Sequence, residues 1–457
     1  LFQEVLDKPD NPARYHVDGG WRPLERRMET YRDPKGRVVA VDTMFVTHRG
    51  PVLRLPDLAL SIRWTALAPG GAVSALAQVA TARSVDEWLK AMEAYKVPIQ
   101  NGLVADRAGS IAIRATGDYP VRPGADGELI RDGAVSASDW NGYLPLAREP
   151  FAKDPAQGYL ASANQQPVDP AVDRDYLGAN WPAPFRALRI NQLLRGDSAV
   201  TPDDMARFQT DPGSPRADLF VPAFLAAGTA SKDSLAREAA RLLAQWDRKY
   251  TTGNTRAVLF EQAMTELNDR LWDELADQHD TTGRRVATPS AVVVLELLQD
   301  PKNAWWDDHR TVTVEDRDQI LVQSLSAALT TTRRRYGDPD QGGWRWDKIQ
   351  TANIRHLLGL ASLSVLRLPV QGGPSTLNPS SGSGGNGPSW RMVVDLGPDL
   401  RARAIYPGGQ SGNPVSPRYA DRIPAWAVGT LDSLFVPRAP GDLPAAATLS
   451  TLILKAR

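Results

Sequence analysis

The sequence predicts an α+β protein in which a strand-rich region, a helical region and a second strand-rich region follow one another. Three observations support this prediction: β-branched runs early in the chain, apolar residues at helical spacing in the middle, and a return to alternation near the end. We expect the regions to cover residues 1–195, 196–368 and 369–457, with the last one returning to the core of the first.

The first region contains two runs that are typical of strands. Residues 37–47 and 58–67 are rich in β-branched and aromatic residues and are bounded by Gly and Pro. One helix is predicted after them, with Ser84 as its N-cap and Glu87 as the third residue of a capping box. A polar, Pro-rich passage then leads to the end of the region.

The second region contains helix starts and apolar stripes. Two Thr-Pro pairs, at residues 201–202 and 288–289, place a capping Thr before a Pro at the first helical position. Another helix is predicted to open within residues 313–316 and to end near Gly337. Residues 256–277 carry one apolar stripe, formed by Leu259, Phe260, Met264, Leu267, Leu271, Trp272 and Leu275. Such stripes are typical of a core, so we assign them no chemistry and predict a helical lobe.

The third region begins with glycine-rich turns, after which residues 389–396 alternate like a half-buried strand. No internal repeat is visible in the sequence, which argues against solenoids and propellers.

Composition narrows the class of protein. The 457 residues include 53 Lys and Arg against 53 Asp and Glu, so the chain lacks the positive field that sequence-independent nucleic-acid binding needs. No run reaches the roughly 18 apolar residues of a membrane span. The absence of Cys excludes disulfides, thiolate zinc sites and cysteine nucleophiles. All five His are isolated in sequence, a pattern that disfavours a zinc site.

Asn101 is the first candidate for chemistry, and two interpretations of it stay open. Asn101-Gly102 followed by alternating residues is typical of a tight hairpin turn, with a second turn at residues 106–109. Alternatively, the side-chain amide of Asn101 points into a cleft and donates to a developing oxyanion. Removing one such donor typically slows a reaction by about 10²–10³.

Two further groups have a plain interpretation when the residues are taken alone. Arg122, after Pro120, is then a solvated surface charge. Residues 410–413, Gln-Ser-Gly-Asn, are predicted to form a Gly-bounded turn whose polar side chains bond local backbone groups.

The stretches 98–122 and 407–421 together resemble the penicillin amidase (acylase) family. The first contains the pattern Gln-Asn, Ala-Asp, Gly and Pro-x-Arg, which includes Asn101 and Arg122, and the second contains Gln-Ser-Gly-Asn. Shorter stretches at 58–67, 161–167 and 181–190 also fit the family, in the same order along the chain.

This resemblance implies an Ntn-hydrolase fold, a four-layer αββα sandwich with an inserted helical lobe and a C-terminal β segment. It also implies an amide hydrolase whose N-terminal Ser, freed by self-processing, attacks while its own α-amine takes the proton. Because this chain begins Leu1-Phe2, we expect the nucleophile to lie upstream of Leu1 and the chain alone to be inactive.

The resemblance assigns roles to individual residues. Asn101 would supply the side-chain oxyanion contact, and Arg122 would lie near the catalytic α-amine. Tyr15 and His16 fall where some relatives place an aromatic wall of the acyl pocket, although ordinary hairpin packing fits them equally. Arg49 stands in the family's usual His-Gly-Pro register, one place after His48.

Partners and location are also implied by the resemblance. We expect a small acylated substrate, such as an acylated β-lactam nucleus, homoserine lactone or amino compound. We also expect a small (α) subunit and the N-terminal part of the large subunit as partners, and a periplasmic or secreted location. Catalysis would need no cofactor. Relatives often bind a structural Ca²⁺, at positions expected mostly before Leu1 or in the small subunit. The alternatives are a non-catalytic scaffold relative and an extracytoplasmic ligand-binding protein.

Overall fold

The structure is a computed structural model with both helices and sheets, and it describes residues 1–125, 127–173, 175–276, 278–279, 284–378, 387–437, 442 and 452–455. The chain divides into two compact units, Leu1–Pro182 and Ala183–Arg457. The three-region division at residues 195 and 368 stays a prediction.

The first unit is built mainly from strands. The elements are β1 (Phe2–Gln3), β2 (Arg14–Val17), β3 (Gly20–Pro23), β4 (Glu25–Arg32), β5 (Val38–Thr47), β6 (Gly50–Leu55), β7 (Leu58–Ser61), α1 (Ala72–Val79), α2 (Val85–Met92), β8 (Gln100–Ala105), β9 (Ile111–Thr116), β10 (Arg131–Asp132) and β11 (Phe151–Lys153). A six-stranded sheet has the order β10-β1-β7-β6-β5-β4, a three-stranded sheet has the order β11-β9-β8, and β2 pairs with β3.

The two strand runs predicted in this unit have different outcomes. The run 37–47 is confirmed by β5. The run 58–67 is a strand only as far as Ser61, and a short 3₁₀ turn follows at Thr65–Leu67. The ladder partners of Ser61 are Phe2 of β1 and Val52 of β6, and after it, among the described residues, only one further backbone bond to β6 forms, from the Ile62 N–H to the Pro51 carbonyl oxygen at 2.9 Å.

Helix α2 begins where the capping pattern predicts. The Ser84 side chain accepts a hydrogen bond from the Glu87 N–H at 3.2 Å. In a complete capping box the Glu87 carboxylate would accept from the Ser84 N–H. Here it accepts from the N–H of the preceding residue, Arg83, at 2.8 Å. The cap thereby satisfies one of the amides that a helix start leaves without an internal partner.

The second unit is mainly helical, and its short sheets are formed by the C-terminal part of the chain. β12 pairs with β13, and β14, β15 and β16 form an antiparallel sheet in that order. Its elements are α3 (Phe185–Arg195), α4 (Pro202–Phe208), α5 (Pro215–Ala230), α6 (Ser234–Ala244), α7 (Ala257–Leu271), α8 (Ala291–Leu297), α9 (Arg317–Tyr336), α10 (Trp346–Ile349), β12 (Thr351–Ile354), β13 (Val365–Pro369), β14 (Arg391–Asp395), β15 (Arg401–Ile405), α11 (Ile423–Val428) and β16 (Asp432–Leu434).

The predicted helix starts are confirmed in two cases and wrong in one. Thr201 caps α4 with Pro202 at the first helical position. The helix expected to open within residues 313–316 is capped by Asp316 and ends at Gly337, as predicted. The helix expected from the pair 288–289 is capped by Ser290 instead, whose side chain accepts from the Val292 N–H.

One apolar cluster forms the core of the second unit. It joins α5, α6, α7 and α9, and the 256–277 stripe lies in it: within the described residues, every predicted stripe member except the half-buried Leu275 is buried. Residue 277 lies outside the described residues. The strand predicted at 389–396 is confirmed by β14. None of the helices in the described ranges is both long and apolar enough to cross a membrane.

Candidate active site

Asn101 lies in the strand β8, so its interpretation as a hairpin-turn residue is wrong. It pairs with Ala115 of β9, and Gly102 pairs with Arg114. Gly102 is explained by packing, since a Cβ there would lie 2.4 Å from the Trp88 ring of α2. The turn between the two strands comes later, as predicted for residues 106–109, and Gly109 adopts a φ of 97° there.

The Asn101 amide is held at the wall of a small cavity. Its Nδ2 donates to the Ser162 Oγ at 2.8 Å, and both residues line a cavity of about 190 Å³. Gln165 also lines the cavity, while most of the remaining wall is apolar, including Ile113 and Phe151. An amide nitrogen carries two donor hydrogens, so one remains available after the bond to Ser162.

Asp106 of the same sequence motif has a structural explanation. Its carboxylate accepts hydrogen bonds from the backbone amides of Val85, Ala108 and Ser110 at 2.9–3.1 Å. The bond from Val85 is the main cause that lowers the pKa of Asp106 below its ordinary value. Asp106 therefore ties the first turn of α2 to the turn after β8, the strand that carries Asn101.

Arg122 lies between aromatic rings at a second cavity. Its guanidinium carbon is 5.4 Å from the centre of the Trp140 ring and 5.3 Å from that of Tyr176. The cavity has a volume of about 310 Å³ and is also lined by Tyr119 and Trp181. No described residue lines both this cavity and that of Asn101. Arg122 is half-buried, unlike a fully solvated surface charge.

Arg49 is the centre of a buried ion network. Its guanidinium donates to Glu4 at 3.0 Å, to Asp139 at 2.7 Å and to the Gly133 carbonyl oxygen at 2.8 Å. The side chains of Arg49 and Glu4 are both fully buried. Burial works to raise the pKa of Asp139, but hydrogen bonds from His48 and Arg49 outweigh it and hold that pKa below its ordinary value. The Arg in the family's His-Gly-Pro register therefore joins a structural ion network.

Tyr15 and His16 lie in the β2–β3 hairpin. Tyr15 is buried, stacks on the His48 ring and shares a hydrogen bond with its Nδ1 at 2.9 Å. The other ring nitrogen of His48 contacts Asp139 at 3.0 Å. His16 meets Trp21 edge-on. Neither Tyr15 nor His16 lines the Asn101 or the Arg122 cavity. Their role as an acyl-pocket wall stays a prediction.

The loop 410–413 is a turn held by its own polar side chains, as predicted. The Ser411 Oγ accepts from the Asn413 N–H, and the Asn413 Oδ1 accepts from the Val415 N–H, both at 3.1 Å. These bonds satisfy local backbone groups.

One group of described residues, in the second unit, places possible metal ligands together. The ligand atoms of Asp273, Glu274 and His309 lie within 4.8 Å of one another. Calcium prefers six to eight oxygen ligands. Two carboxylates and an imidazole do not fit that preference, so the group is not assigned as the calcium site that the family resemblance implied.

Sequence reasoning missed three residues that contact the candidates: Ser162 at Asn101, and Trp140 and Tyr176 at Arg122. Ser162 lies in the stretch 161–167, which fits the family, so the sequence resemblance could have identified it as a candidate. Trp140 and Tyr176 come from loops whose approach to Arg122 no local pattern indicates.

The chain belongs to the penicillin amidase family, whose model matches residues 1–440. It is 28% identical over 458 residues to an acyl-homoserine lactone acylase QuiP of Pseudomonas fluorescens, a match that covers 93% of this chain and 56% of the relative. It is 27% identical over 410 residues to the penicillin acylase 2 proenzyme of Pseudomonas sp. (strain SE83), covering 83% of this chain and 50% of the relative. The chain thus spans about half the length of the curated relatives it matches.

The fold is similar to that of a solved thermostable penicillin G acylase from Alcaligenes faecalis. The TM-score is 0.70 at 19% sequence identity, and the match covers all of this chain and 86% of the other. At that identity the likeness concerns the fold alone.

Proposed function

We propose that this chain is part of an acylase, an amide hydrolase that cleaves an acyl group from an amine. The amine would be a β-lactam nucleus, a homoserine lactone or another acylated amino compound, in keeping with the names of the relatives. The nucleophile would be an N-terminal Ser upstream of Leu1, and Asn101 would donate to the oxyanion.

The observation that carries the proposal is the position of the Asn101 amide. It lines a cavity, lies in a paired strand, and is held by Ser162 at 2.8 Å. A donor whose direction is fixed before the reaction does not have to reorient when negative charge develops, so no free energy is spent on reorganisation. Most of the other side chains around the cavity are apolar, so few side chains compete for the free donor hydrogen of Asn101.

The reaction follows from these groups. The Ser hydroxyl oxygen attacks the amide carbonyl carbon while the α-amine of that Ser takes the hydroxyl proton. The carbonyl oxygen becomes an oxyanion, to which the free hydrogen of the Asn101 Nδ2 donates. The proton passes to the leaving amine as the C–N bond breaks, and water then hydrolyses the acyl-enzyme to the free acid.

Arg122 would support the same site as a positioning residue. Its guanidinium is held over Trp140 and Tyr176, so its plane is restrained and its donors face a fixed direction. The proposal also includes the αββα layering, self-processing from a precursor, a small subunit and a periplasmic or secreted location. A structural Ca²⁺ would be held outside the Asp273 group.

The test is Asn101→Ala in the complete protein, which includes the segment upstream of Leu1. We expect kcat on an acyl-homoserine lactone or a penicillin to fall by about 10²–10³, because a transition-state donor is lost. KM should change little. Stopped assays of the released amine measure both constants.

The control is Asn413→Ala, which removes an amide that bonds only its own turn among the described contacts. It should keep wild-type turnover. A loss of less than about threefold in Asn101→Ala would contradict the oxyanion role, since loss of a true donor costs far more. Absence of amide hydrolysis by the complete wild-type protein, across lactone, penicillin and acyl amino acid substrates, would overturn the acylase proposal itself.

A further inference from the structure

A cavity of about 530 Å³ lies in the second unit, in the part of the chain that contains the loop 355–364 and the loop 408–423. Its apolar wall includes Ile354, Leu358, Leu363 and Ile423. Leu358 is 76% exposed, so this wall is open to solvent. Small-molecule sites have volumes of about 300–1,000 Å³ and mainly apolar linings, and this cavity falls within that range.

The polar groups of the cavity are donors. Arg355 lines it and has no hydrogen-bond or ion-pair partner among the described residues. The His356 Nδ1 accepts from the Leu358 N–H at 3.2 Å, which leaves the His356 Nε2 to carry the ring proton. The Ser411 Oγ already accepts from Asn413, so its hydroxyl hydrogen remains available to donate.

The lining has no carboxylate to compete for these donors. None of the described residues around the cavity is Asp or Glu. The hydroxyl of Tyr419, another lining residue, donates to the Leu363 carbonyl oxygen at 2.8 Å and so fixes one wall. A cationic guanidinium and two neutral donors next to an apolar surface are complementary to an anion that carries an apolar chain.

We propose that this cavity is a binding site for an aliphatic carboxylate. The carboxylate group would accept hydrogen bonds from Arg355 and His356, and the chain would lie against Leu358, Leu363 and Ile423. The site uses none of the residues that line the Asn101 cavity, so it does not depend on the proposed hydrolase activity.

Two glycines of the loop allow a selective test. A Cβ at Gly409 would lie 2.0 Å from the Arg418 carbonyl oxygen, so Gly409 is required for the loop to close. Gly412 lines the same cavity, and a Cβ there would meet no atom within 4 Å. Gly412→Leu can therefore fill the cavity while leaving the loop contacts intact.

The experiment is isothermal titration calorimetry of the complete protein with octanoate, and with octan-1-ol as the uncharged analogue. We expect saturable binding of one octanoate at micromolar to millimolar affinity. Arg355→Gln should weaken octanoate binding by about tenfold or more, because a charge-assisted hydrogen bond is lost, and should change octan-1-ol binding less. Gly412→Leu should weaken both ligands.

Matched controls are Arg26→Gln, an exposed Arg in β4 with no described partner, and Gly253→Leu, whose Cβ also meets nothing within 4 Å. Both should bind octanoate like the wild type, and so should Asn101→Ala. Circular dichroism verifies that each variant is folded. Equal octanoate affinity in the wild type and Arg355→Gln, or no saturable binding at millimolar octanoate, would overturn the proposal.

Discussion

The two compact units use different interactions to hold their interiors together. In the first unit, a buried Arg49 joins Glu4, Asp139 and two loop carbonyl oxygens, and so connects strands with loops that are distant in sequence. In the second, helices α5, α6, α7 and α9 share one continuous apolar cluster. The long helices of the second unit are also joined by ion pairs, Arg216 with Glu261 and Arg333 with Glu238, but apolar side chains make up most of the buried residues between them.

The difference bears on where an active site can form. A site that must aim amides and guanidinium groups needs strands and loops held in fixed positions, and directional bonds hold them better than non-directional apolar contact does. Both predicted catalytic candidates, Asn101 and Arg122, lie in the first unit. The variants below test whether the two units depend on different forces.

The largest expected effect is in the ion network. Arg49→Met leaves the carboxylate of Glu4 buried without its cation, and breaking a buried pair in this way costs about 3–5 kcal/mol. We expect chemical denaturation to show that loss. Hydrogen exchange should show lost protection mainly within residues 1–182. Arg26→Met, which alters an exposed Arg, should change stability by less than about 0.5 kcal/mol.

A second variant separates the cost of leaving Glu4 without its cation from the cost of losing the packing of the Arg49 side chain. Glu4→Met combined with Arg49→Met removes both charges, and replacing a buried pair with apolar residues is often close to neutral. The double variant should therefore be more stable than Arg49→Met alone. A double variant that is less stable than Arg49→Met alone would show that Glu4 makes other stabilising contacts, such as the hydrogen bond that it accepts from the Ser61 hydroxyl at 2.6 Å.

The next effect is in the apolar cluster. Leu267 is fully buried in α7, and Leu267→Ala should cost about 2–5 kcal/mol through lost burial and a cavity. Protection should be lost mainly within residues 183–457. Leu219→Ala, at a position 45% exposed in α5, is the matched control and should cost much less. Equal loss of protection in both units would contradict independent cores.

The elements that the sequence predicted correctly depend on local chemistry. Caps such as Ser84 and Thr201, the turn at residues 106–109 and the stripe of α7 act within a few residues of their own position. The start predicted at 288–289 lies two residues too early, because Ser290 follows and caps the helix instead. Helix boundaries are the least certain part of such a prediction, since neighbouring residues can serve as the cap equally well.

The wrong turn prediction at Asn101 and the missed contact with Ser162 have a different cause. Asn-Gly permits a turn but does not require one. Gly102 is needed instead because the Trp88 ring packs where a side chain at this position would lie. The bond from Asn101 to Ser162 spans 61 residues of sequence. Contacts of that kind are set by sheet pairing and loop approach, which hydrophobic periodicity does not encode. Family resemblance identified Asn101 and Arg122 as candidates, and their roles stay predictions.

A smaller effect is expected at the start of α4 in the second unit. The Thr201 side chain accepts from the Asp204 N–H, and Asp204 bonds back to Thr201. Thr201→Ala should cost about 1 kcal/mol, the usual effect of losing such a cap. Thr330→Ala, which removes an exposed hydroxyl in α9, is the control. A cost near zero at Thr201 would mean that packing alone fixes the start of α4.

The smallest effect concerns the acid response of the same cap. Hydrogen bonds from Thr201, and then from Arg207, lower the pKa of Asp204 from 3.8 to about 2. Because the folded-state pKa is depressed, the stabilisation is fully present above about pH 4 and is lost as the pH falls toward 2. The difference in thermal midpoint between the wild type and Asp204→Asn should therefore be constant from pH 7 to about 5 and shrink at lower pH. Asp399→Asn, at an exposed carboxylate with no described partner, should show no such trend. A difference that grows on acidification would contradict the cap as the source of the lowered pKa.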